Sequence, residues 1–562
     1  MAITAQSLLK QYYGYDDFRP GQAKVINSLM AGRDVLAIMP TGAGKSLCFQ
    51  IPALLLPGVT LVVSPLISLM KDQVDALKQQ GVEATYINSS LTSAQTRQRL
   101  SELAAGKYKL IYVAPERLEL SSFQAVLQSI EVSLVAIDEA HCVSQWGHDF
   151  RPSYRNIRPF VSSLPRRPVV GAFTATATSE VKNDIIASLA LHKPDVYVTG
   201  FDRPNLFFSV LHSENKQKFV LNYLEANESQ AGIIYASTRR EVEELYAFLR
   251  HRGYAAGRYH AGLDESERTA MQEQFLYDDV RVMVATNAFG MGIDKSNVRY
   301  VIHYNMPRNL EAYYQEAGRS GRDGEPGDCI MLFSKQDIMV QKFLIEKSVE
   351  HPQRRLHELR KLQDMVDYCQ TSGCLRHYIL RYFGQQPERD DCGKCGSCAG
   401  GSRKKAANPP QQSLSKGQHG AGEELFDLLR QVRKQIALRD RIPPYVVFAD
   451  STLREMCLHL PVTESALRRI KGVGELKLAR YGREFLGAIN SYLQSANAKD
   501  NLTASKDVLP KQSDKPSHII TLEMYRQGID PRAIAKRRGI TLNTLRGHLI
   551  RCQNEGHDVE WQ

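Results

Sequence analysis

The chain has 562 residues, which corresponds to several domains at about 100–200 residues each. Its hydrophobic fraction of 43% and charged fraction of 24% are typical of globular proteins, and no apolar run is long enough to cross a bilayer, so no membrane-spanning helix is predicted. The net charge of +11 favours a polyanionic partner such as nucleic acid, although it could serve solubility alone. The first residues do not resemble a signal peptide, which predicts a cytoplasmic protein.

Apolar strands alternate with helical patterns twice, which predicts an α/β protein with two parallel sheets covered on both faces. The predicted strands are 59–63, 110–113, 134–137 and 169–173 in the first unit, then 232–235, 282–286, 299–304 and 328–333 in the second. The predicted domains are 1–205, 206–335, a helical 336–398, a polar linker 399–421, a helical 422–494, a second linker 495–516 and a small helical 517–562.

A phosphate-binding loop is predicted after the short apolar run that starts at Val35. Backbone N–H groups of such a turn converge on phosphate, a lysine reaches the β/γ phosphates, and a serine hydroxyl ligates Mg²⁺. The generic pattern has glycine where this chain has Met39, so only its second half matches, and a chance glycine-rich turn stays an alternative. The residues predicted to bind ATP phosphates are Thr41, Gly42, Gly44, Lys45 and Ser46, with Ser46 also on Mg²⁺.

Upstream of this loop, Gln22 offers a donor and an acceptor that suit an adenine edge. Tyr15 and Arg19 lie beside it in the sequence, and an aromatic ring there could stack on the base. A plain turn with a buried Phe18 explains the same residues equally well.

An acidic pair, Asp138 and Glu139, follows the apolar strand 134–137. The carboxyl end of a buried parallel strand is where α/β sheets bind ligands. We expect Asp138 to hold Mg²⁺ and Glu139 to orient and deprotonate the attacking water. The alternative is that the pair caps a helix.

The second unit contributes Gln315, Arg319 and Arg322. Two arginines three residues apart can reach across a cleft to the γ-phosphate as an arginine finger. Hydrolysis would then depend on closure of the two units, which makes a motor possible. A pair of surface arginines is the alternative.

Ten motifs follow one another along the chain up to about residue 398: FRPGQ (18–22), MPTGAGKS (39–46), SPLISLMKDQV (64–74), APERL (114–118), DEAH (138–141), FTATA (173–177), GIIYAST (232–238), YHAGL (259–263), VATNAFGMGID (285–294) and QEAGRSGRDG (315–324). In the identity and order of these motifs, the chain resembles the RecQ family of superfamily 2 DNA helicases. The resemblance implies two RecA-like domains and an ATP- and Mg²⁺-dependent helicase that moves 3′ to 5′ on single-stranded DNA.

The stretch after the acidic pair interleaves aromatic and cationic residues: Trp146, His148, Phe150 and Arg151. Aromatic rings stack on single-stranded bases, and cations hold phosphate. By resemblance this is the family's aromatic-rich loop, which senses DNA and signals to the ATP site. Ordinary core packing of Trp146 is the alternative.

A cysteine cluster, Cys374, Cys392, Cys395 and Cys398, has spacing that suits a closed, structural Zn²⁺ site in a reducing compartment. An iron–sulfur cluster is the runner-up. Cys369 could compete with Cys374, and the resemblance to the family's zinc-binding subdomain favours Cys374.

The chain departs from most bacterial relatives after Cys398, because the polar stretch 399–421 is too short for their winged-helix domain. Residues 422–494 resemble the nucleic-acid-binding HRDC domain, with a glycine turn at 470–474 that could approach phosphate. Its basic side is predicted to hold Arg469, Lys471, Lys477, Arg480 and Arg483, although a merely solvated face is the alternative.

Residues 517–562 are predicted to form a helix-turn-helix, with a helix that starts at Pro531. Its predicted buried side is Ile534, Ala535, Ile540, Leu545, Leu549 and Ile550. It could bind DNA or protein.

The resemblance to the RecQ family implies a bacterial helicase in DNA repair, recombination or the SOS response, acting as a monomer on single-stranded, forked or junction DNA. A single-strand-binding protein is a further candidate partner, and no membrane is involved. A translocase, branch migrator or strand annealer with weak unwinding is the main alternative, because the winged helix is missing. A second alternative is a nucleic-acid-binding scaffold whose nucleotide site is inactive. A third is a motor that acts on RNA instead of DNA.

Overall fold

The computed structural model describes residues 3–147, 149–212, 215–290, 295–387, 389, 391–399, 421–504, 517–526, 530–538 and 542–554. The chain divides into two compact units, Met1–Ser491 and Tyr492–Gln562, and each is described by itself. Among the described residues, no helix is both long enough and apolar enough to cross a membrane.

The first lobe is a seven-stranded, all-parallel sheet in the order β3-β4-β2-β5-β6-β1-β7. Its strands are Val35–Ile38 (β1), Val59–Val63 (β2), Ala84–Ile87 (β3), Leu110–Val113 (β4), Val132–Ile137 (β5), Val169–Thr174 (β6) and Asp195–Val198 (β7). Its helices are Ala5–Leu8 (α1), Gln22–Met30 (α2), Leu47–Leu55 (α3), Ile67–Gln79 (α4), Ser93–Ala104 (α5), Ser121–Leu127 (α6), Ile157–Ser163 (α7) and Ser179–Ser188 (α8).

Alternate residues of these strands enter two separate cores, because successive side chains point to opposite faces of a sheet. In β1, Val35 and Ala37 belong to one core while Leu36 and Ile38 belong to the other. The prediction of a parallel sheet covered on both faces is confirmed. The edge strand β7 alternates between half-buried and exposed residues, so its pattern lacked the continuous apolar run that marks a central strand.

The second lobe is a six-stranded, all-parallel sheet in the order β10-β11-β9-β12-β13-β8. Its strands are Leu206–Leu211 (β8), Ala231–Tyr235 (β9), Ala256–Tyr259 (β10), Val282–Ala285 (β11), Val298–His303 (β12) and Gly327–Leu332 (β13). Its helices are Lys216–Ala226 (α9), Arg239–His251 (α10), Glu265–Leu276 (α11) and Leu310–Ala317 (α12).

The elements described after Leu332 are all helices. The first four are Lys335–Ser348 (α13), Pro352–Gln370 (α14), Leu375–Tyr382 (α15) and Gly396–Ala399 (α16). Pro352 lies in the first turn of α14, where its missing N–H costs nothing. One apolar cluster joins these helices to both lobes, with Tyr368 of α14 packed against Tyr313 of α12.

A helical domain follows, with Ala421–Asp440 (α17), Pro444–Val447 (α18), Asp450–His459 (α19), Glu464–Leu467 (α20) and Glu475–Ala504 (α21). Residues 495–504, predicted as the start of a linker, are helical. This stretch contains neither glycine nor proline, so nothing in it ends the helix. The rest of that linker, and residues 400–420 of the first, lie outside the described residues.

The C-terminal compact unit, Tyr492–Gln562, contains Ser517–Arg526 (α22), Pro531–Arg538 (α23) and Leu542–Asn554 (α24). The predicted helix start at Pro531 is confirmed. Its core is Leu522, Ile534, Ala535, Leu545, Leu549 and Cys552. Ile550 was predicted to be buried and is 43% exposed, because it lies one residue off the stripe that Leu545, Leu549 and Cys552 form at helical spacing. Ile540 lies outside the described residues.

Candidate functional site

The predicted phosphate loop connects the end of β1 to the start of α3. Gly42 and Gly44 have φ angles of 81° and 80°, in the left-handed region that favours glycine. A Cβ at Gly44 would lie 2.5 Å from Nε2 of Gln22, so the close approach of that side chain also requires glycine. The loop is thus shaped by backbone conformation as well as by its lysine.

Lys45 is half-buried at this loop, and its ammonium donates a hydrogen bond to the carbonyl oxygen of Met39 at 3.2 Å. Burial lowers the pKa of Lys45, while the nearby carboxylates of Glu139 and Asp138 act to raise it. The guanidinium of Arg322, from the second lobe, lowers it further. The structure therefore brings Lys45, both acidic residues and Arg322 within electrostatic range of one another.

Both ends of the Gln22 amide are hydrogen-bonded to backbone, one end to the phosphate loop and the other to Arg19. Nε2 donates to the carbonyl oxygens of Ala43 and Gly44 at 3.1 and 3.0 Å, and Oε1 accepts from the Arg19 N–H at 2.8 Å. The Arg19 guanidinium donates to the Gly42 carbonyl. These two residues hold the shape of the loop in this structure, whereas Tyr15 is 38% exposed. Recognition of adenine by the three residues stays a prediction.

The acidic pair follows β5 directly. The Asp138 N–H donates to the Val63 carbonyl at 2.9 Å, which continues the pairing with β2. Glu139 has φ 46° and ψ 48°, and a left-handed conformation at a residue other than glycine marks stored strain of the kind found at functional sites. His141 Nδ1 lies 2.9 Å from Thr174 Oγ1 and 3.3 Å from Glu139 Oε2. Neither His141 nor Thr174 was singled out from the sequence, although both belong to quoted motifs.

The arginine turn, residues 318–322 after α12, lies against the phosphate loop of the other lobe. A Cβ at Gly318 would be 3.2 Å from Thr41 Cβ, and the Cα of Arg322 would be 3.5 Å from a Cβ at Gly42. Arg319 is buried, and within the described part of the chain its Nε and the Nε2 of Gln315 have no hydrogen-bond partner. Buried donors of this kind suit an anionic ligand at the junction of the lobes.

Arg203, in the segment between the lobes, fastens this junction and was missed from the sequence. Its Nη1 donates to the carbonyl oxygens of Thr41 at 2.5 Å and Gly318 at 3.3 Å. Its Nη2 donates to those of Ser320 at 3.1 Å and Gly321 at 2.8 Å. One guanidinium thus joins the phosphate loop of one lobe to the arginine turn of the other.

We expect Arg203→Met to lower the turnover of nucleoside triphosphate by about tenfold to a hundredfold. Each charged hydrogen bond of this type contributes about 1.5–3 kcal/mol, and the arginine turn loses its anchor without them. Steady-state phosphate release measures the effect, and Arg203→Lys, which keeps the charge but not the forked geometry, should recover only part of the rate. Unchanged turnover in Arg203→Met would show that the junction does not depend on this residue.

The aromatic-rich loop, residues 143–151, packs against α14. Trp146 is half-buried, with its ring centroid 5.2 Å from that of His357, and Phe150 lies between the guanidinium groups of Arg155 at 5.1 Å and Arg354 at 5.5 Å. Neither of these two arginines was predicted. His148 lies outside the described residues.

Arg151, predicted to hold phosphate, instead donates to Asp149 Oδ2 at 3.0 Å and to the Pro65 carbonyl at 2.9 Å. Gly147 lies close to the acidic motif, DEAH at 138–141: a Cβ at Gly147 would be 2.5 Å from the His141 carbonyl oxygen. The loop and the acidic motif are therefore in direct contact.

The four predicted cysteines, Cys374, Cys392, Cys395 and Cys398, come together with their Sγ atoms all within 4.8 Å of one another. The sulfurs of Cys374 and Cys395 are 3.9 Å apart, close to the roughly 3.8 Å edge of a tetrahedron with Zn–S bonds of about 2.3 Å. An iron–sulfur cube would hold each sulfur on a separate iron and hence farther apart. Cys369 is buried elsewhere on α14, so it does not replace Cys374.

We expect Cys395→Ser to abolish stoichiometric metal and to lower the melting temperature by about 10 °C or more. A structural Zn²⁺ contributes about 10–16 kcal/mol in small zinc domains, and a lost thiolate forfeits several of these. Metal content and thermal unfolding measure the outcome, with Cys457→Ser, a half-buried cysteine outside the cluster, as the control. Full zinc content in the Cys395 variant would contradict the assignment.

The glycine turn at 470–474 contacts the first lobe in this structure. The Gly472 N–H donates to the Gly14 carbonyl oxygen at 3.2 Å. Arg480, from the predicted basic side, donates to Gln79 at 2.6 Å. The ammonium of Lys477 turns inward to the Val446 carbonyl at 2.6 Å, and burial lowers the pKa of Lys477 to about 8. Lys477 is therefore not part of an outward basic face.

Five family models match the chain. They are DEAD/DEAH box helicase at 19–184, helicase conserved C-terminal domain at 215–324, RecQ zinc-binding at 335–399, HRDC domain at 422–489 and helix-turn-helix domain at 517–562. No winged-helix model matches.

Among curated proteins, the chain is 44% identical to the ATP-dependent DNA helicase RecQ of Bacillus subtilis, over 88% of this chain and 99% of that relative. It is 36% identical to the protein of the same name from Haemophilus influenzae, over 89% and 98%. The first alignment runs over 588 positions, more than this chain contains, so the Bacillus protein has residues without a counterpart here. Among solved structures, S. cerevisiae Dbp5 bound to RNA and ADP BeF3 matches 66% of this chain and 90% of that one, at 18% identity and a TM-score of 0.48.

Proposed function

The chain belongs to the RecQ family of ATP-dependent DNA helicases, and on that premise we propose that it hydrolyses ATP with Mg²⁺, moves 3′ to 5′ along single-stranded DNA and unwinds duplex. The observation that carries the proposal is the junction of the lobes. The arginine turn of the second lobe lies on the phosphate loop of the first, and Arg203 fastens the two. A triphosphate at the loop would therefore contact residues of both lobes, and its hydrolysis would change what holds them together.

In the proposed reaction, water attacks the γ-phosphorus, and the bond to the β–γ bridging oxygen breaks to leave ADP and inorganic phosphate. Glu139 orients the water and takes its proton, while His141, which is itself bonded to Thr174, lies 3.3 Å from the Glu139 carboxylate. Lys45 and Arg322 stabilise the negative charge that develops on the phosphate oxygens. Closure of the lobes is what brings these groups to one phosphate.

Ser46 and Asp138 would hold Mg²⁺, since a hydroxyl and a carboxylate are the hard oxygen donors that this ion prefers. The ion would supply charge neutralisation across the β and γ phosphates when bound. Ser46 is the last residue of the phosphate loop, directly before α3, and Asp138 follows β5 and lies close enough to Lys45 that its carboxylate acts to raise the pKa of that lysine. At the cysteine cluster the compact set of four sulfurs supports Zn²⁺ in a structural role.

For single-stranded DNA, we propose contact with the aromatic-rich loop. Trp146 and Phe150 offer rings for stacking, His148 and Arg151 were predicted beside them, and Arg155 and Arg354 place positive charge at Phe150. The close contact of Gly147 with His141 supports communication between this loop and the acidic motif.

The intact protein tests the proposal. Phosphate release is measured with and without single-stranded DNA and Mg²⁺, and strand displacement is measured on forked duplexes with either a 3′ or a 5′ single-stranded tail. We expect Mg²⁺-dependent, DNA-stimulated ATPase and displacement that requires the 3′ tail. ATPase that does not respond to DNA would refute the motor, and a requirement for the 5′ tail would refute the direction.

A second candidate function keeps the motor and weakens strand separation. It is favoured by the absence of a winged-helix match and by the purely helical elements described after Leu332. DNA-stimulated ATPase without strand displacement, together with movement of four-way junctions or annealing of complementary strands, would identify a translocase, branch migrator or annealer.

The substrate class and cellular role form the finer part of the proposal. We propose single-stranded, forked or junction DNA as substrate, a monomer as the active form, and a role in bacterial DNA repair or recombination, with a single-strand-binding protein as a candidate partner. Matched DNA and RNA strands in the ATPase assay separate a DNA motor from an RNA motor, because the motor motifs do not read the 2′-OH. Size-exclusion chromatography with light scattering gives the oligomeric state.

A further inference from the structure

Helix α14 lies between the aromatic-rich loop and the second lobe, and one face of the helix contacts the loop. The Arg354 guanidinium is 5.5 Å from the Phe150 ring, and the His357 ring is 5.2 Å from Trp146. Lys361 donates from Nζ to the Trp146 carbonyl oxygen at 2.8 Å. Since residues 354, 357 and 361 are spaced by three and four, all three contacts fall on one side of the helix.

The same helix makes ion pairs with the second lobe. Glu358 lies 2.9 Å from Arg308, just before α12. The Lys361 ammonium lies 2.8 Å from Glu311 Oε1, in the first turn of α12. Six residues after Glu311, at Ala317, α12 ends and the arginine turn begins. A displacement of Glu311 would thus move the N-terminal end of α12, and the C-terminal end of the same helix leads into the arginine turn.

Lys361 contacts both partners through a single ammonium group. Its side chain is only 6% exposed and that of Glu311 only 4%, so water screens the ion pair little. The three N–H donors of an ammonium group are attached to the same nitrogen. If the Trp146 carbonyl moves and Nζ follows it, the distance from Nζ to the Glu311 carboxylate therefore changes. Two sites that bias the same buried group are energetically coupled.

We propose that Lys361 is a positioning residue that couples the aromatic-rich loop to the arginine turn, so that DNA at the loop raises the rate of ATP hydrolysis. The inference rests on the proposed function and deepens it, because it names the link through which DNA regulates the ATP site. Lys361 itself contacts neither the phosphate loop nor the acidic pair in this structure; it acts through α12.

The first test uses the full chain with Lys361→Met and Glu311→Gln combined, since removal of the lysine alone would leave a buried carboxylate uncompensated. We expect basal ATPase within about twofold of the unmodified protein and stimulation by single-stranded DNA reduced about tenfold, in the usual range of such couplings. The dissociation constant for oligothymidylate should change little. Arg360→Met, at an exposed position on the same helix, is the matched control and should keep full stimulation.

The second test follows the loop itself. The chain has two tryptophans, so Trp561→Phe leaves Trp146 as the sole reporter. In this background, we expect a non-hydrolysable ATP analogue to change Trp146 fluorescence. The Lys361→Met, Glu311→Gln double variant should lose that change. A separate Lys361→Arg variant should keep part of it.

Full DNA stimulation and an unaltered fluorescence response in the double variant would overturn the inference. Equal losses of basal and stimulated rates would overturn it too, because they would show a purely structural role. Absence of DNA stimulation in the unmodified chain is a different result, since it would refute the proposed function and remove the regulation along with it.

Discussion

Replacement of Lys45 by alanine should reduce ATP hydrolysis by at least about 10³-fold, with or without DNA, while single-stranded DNA still binds. Lys45 is the half-buried cation of the phosphate loop: its ammonium donates to the Met39 carbonyl, and the carboxylates of Glu139 and Asp138 act to raise its pKa. Without it, the developing charge on the γ-phosphate loses a pre-organised partner in a site of low dielectric. Phosphate release measures the rate, and fluorescence anisotropy of a labelled oligonucleotide measures DNA binding.

Lys24→Ala is the control for the Lys45 variant, because Lys24 is exposed on α2 and its replacement removes the same charge. We expect it to hydrolyse ATP at the unmodified rate. Substantial ATPase in Lys45→Ala would mean that the triphosphate is hydrolysed at another place in the molecule.

Replacement of Arg322 by alanine should lower the maximal ATPase rate by about 10³–10⁵-fold, the effect of losing an arginine finger. The second lobe supplies Arg322, whose Cα lies 3.5 Å from the position a Cβ would take at Gly42 in the first. The loss should appear in kcat more than in nucleotide affinity, since Lys45 and the loop amides remain. Binding of a fluorescent ATP analogue beside steady-state phosphate release separates the two quantities.

Arg250→Ala, at an exposed position on α10, is the matched control in the same lobe and should leave kcat unchanged. If Arg322→Ala hydrolyses ATP as fast as the unmodified chain, and DNA makes no difference to either, catalysis does not require the second lobe. The proposed motor would then be wrong.

The sequence predicted the fold well where strands are buried on both faces. The central strands β2, β4, β5 and β6 are continuous apolar runs, so composition alone marked them. The edge strands were harder, as in β7, which alternates between half-buried and exposed residues and so carries no continuous apolar run. The helix end at Ala504 was also missed, since a polar stretch without glycine or proline can continue a helix as easily as leave it.

For the candidate site, the local motifs predicted which residues would carry the chemistry, but not what each side chain contacts. Gln22 was predicted to face adenine, and its amide is occupied by the phosphate loop backbone. Arg151 was predicted to hold phosphate, and it pairs with Asp149. Lys477 was predicted on a basic face, and its ammonium turns inward. In each case a nearby acceptor engages the donor: a distant backbone carbonyl oxygen for Gln22 and Lys477, and the neighbouring Asp149 carboxylate for Arg151.

What the sequence by itself determined is the residue types and short spacing of each segment: a glycine-bearing loop with a lysine, an acidic pair, a pair of arginines and four clustered thiols. What only the tertiary structure decided is how these segments act on one another, through Arg203 across the lobes and Lys361 between the aromatic-rich loop and α12. The physical reason is that most of these links end on backbone carbonyl oxygens more than a hundred residues away. Every residue has that acceptor, so no side-chain pattern can reveal which one the folded chain will bring within reach.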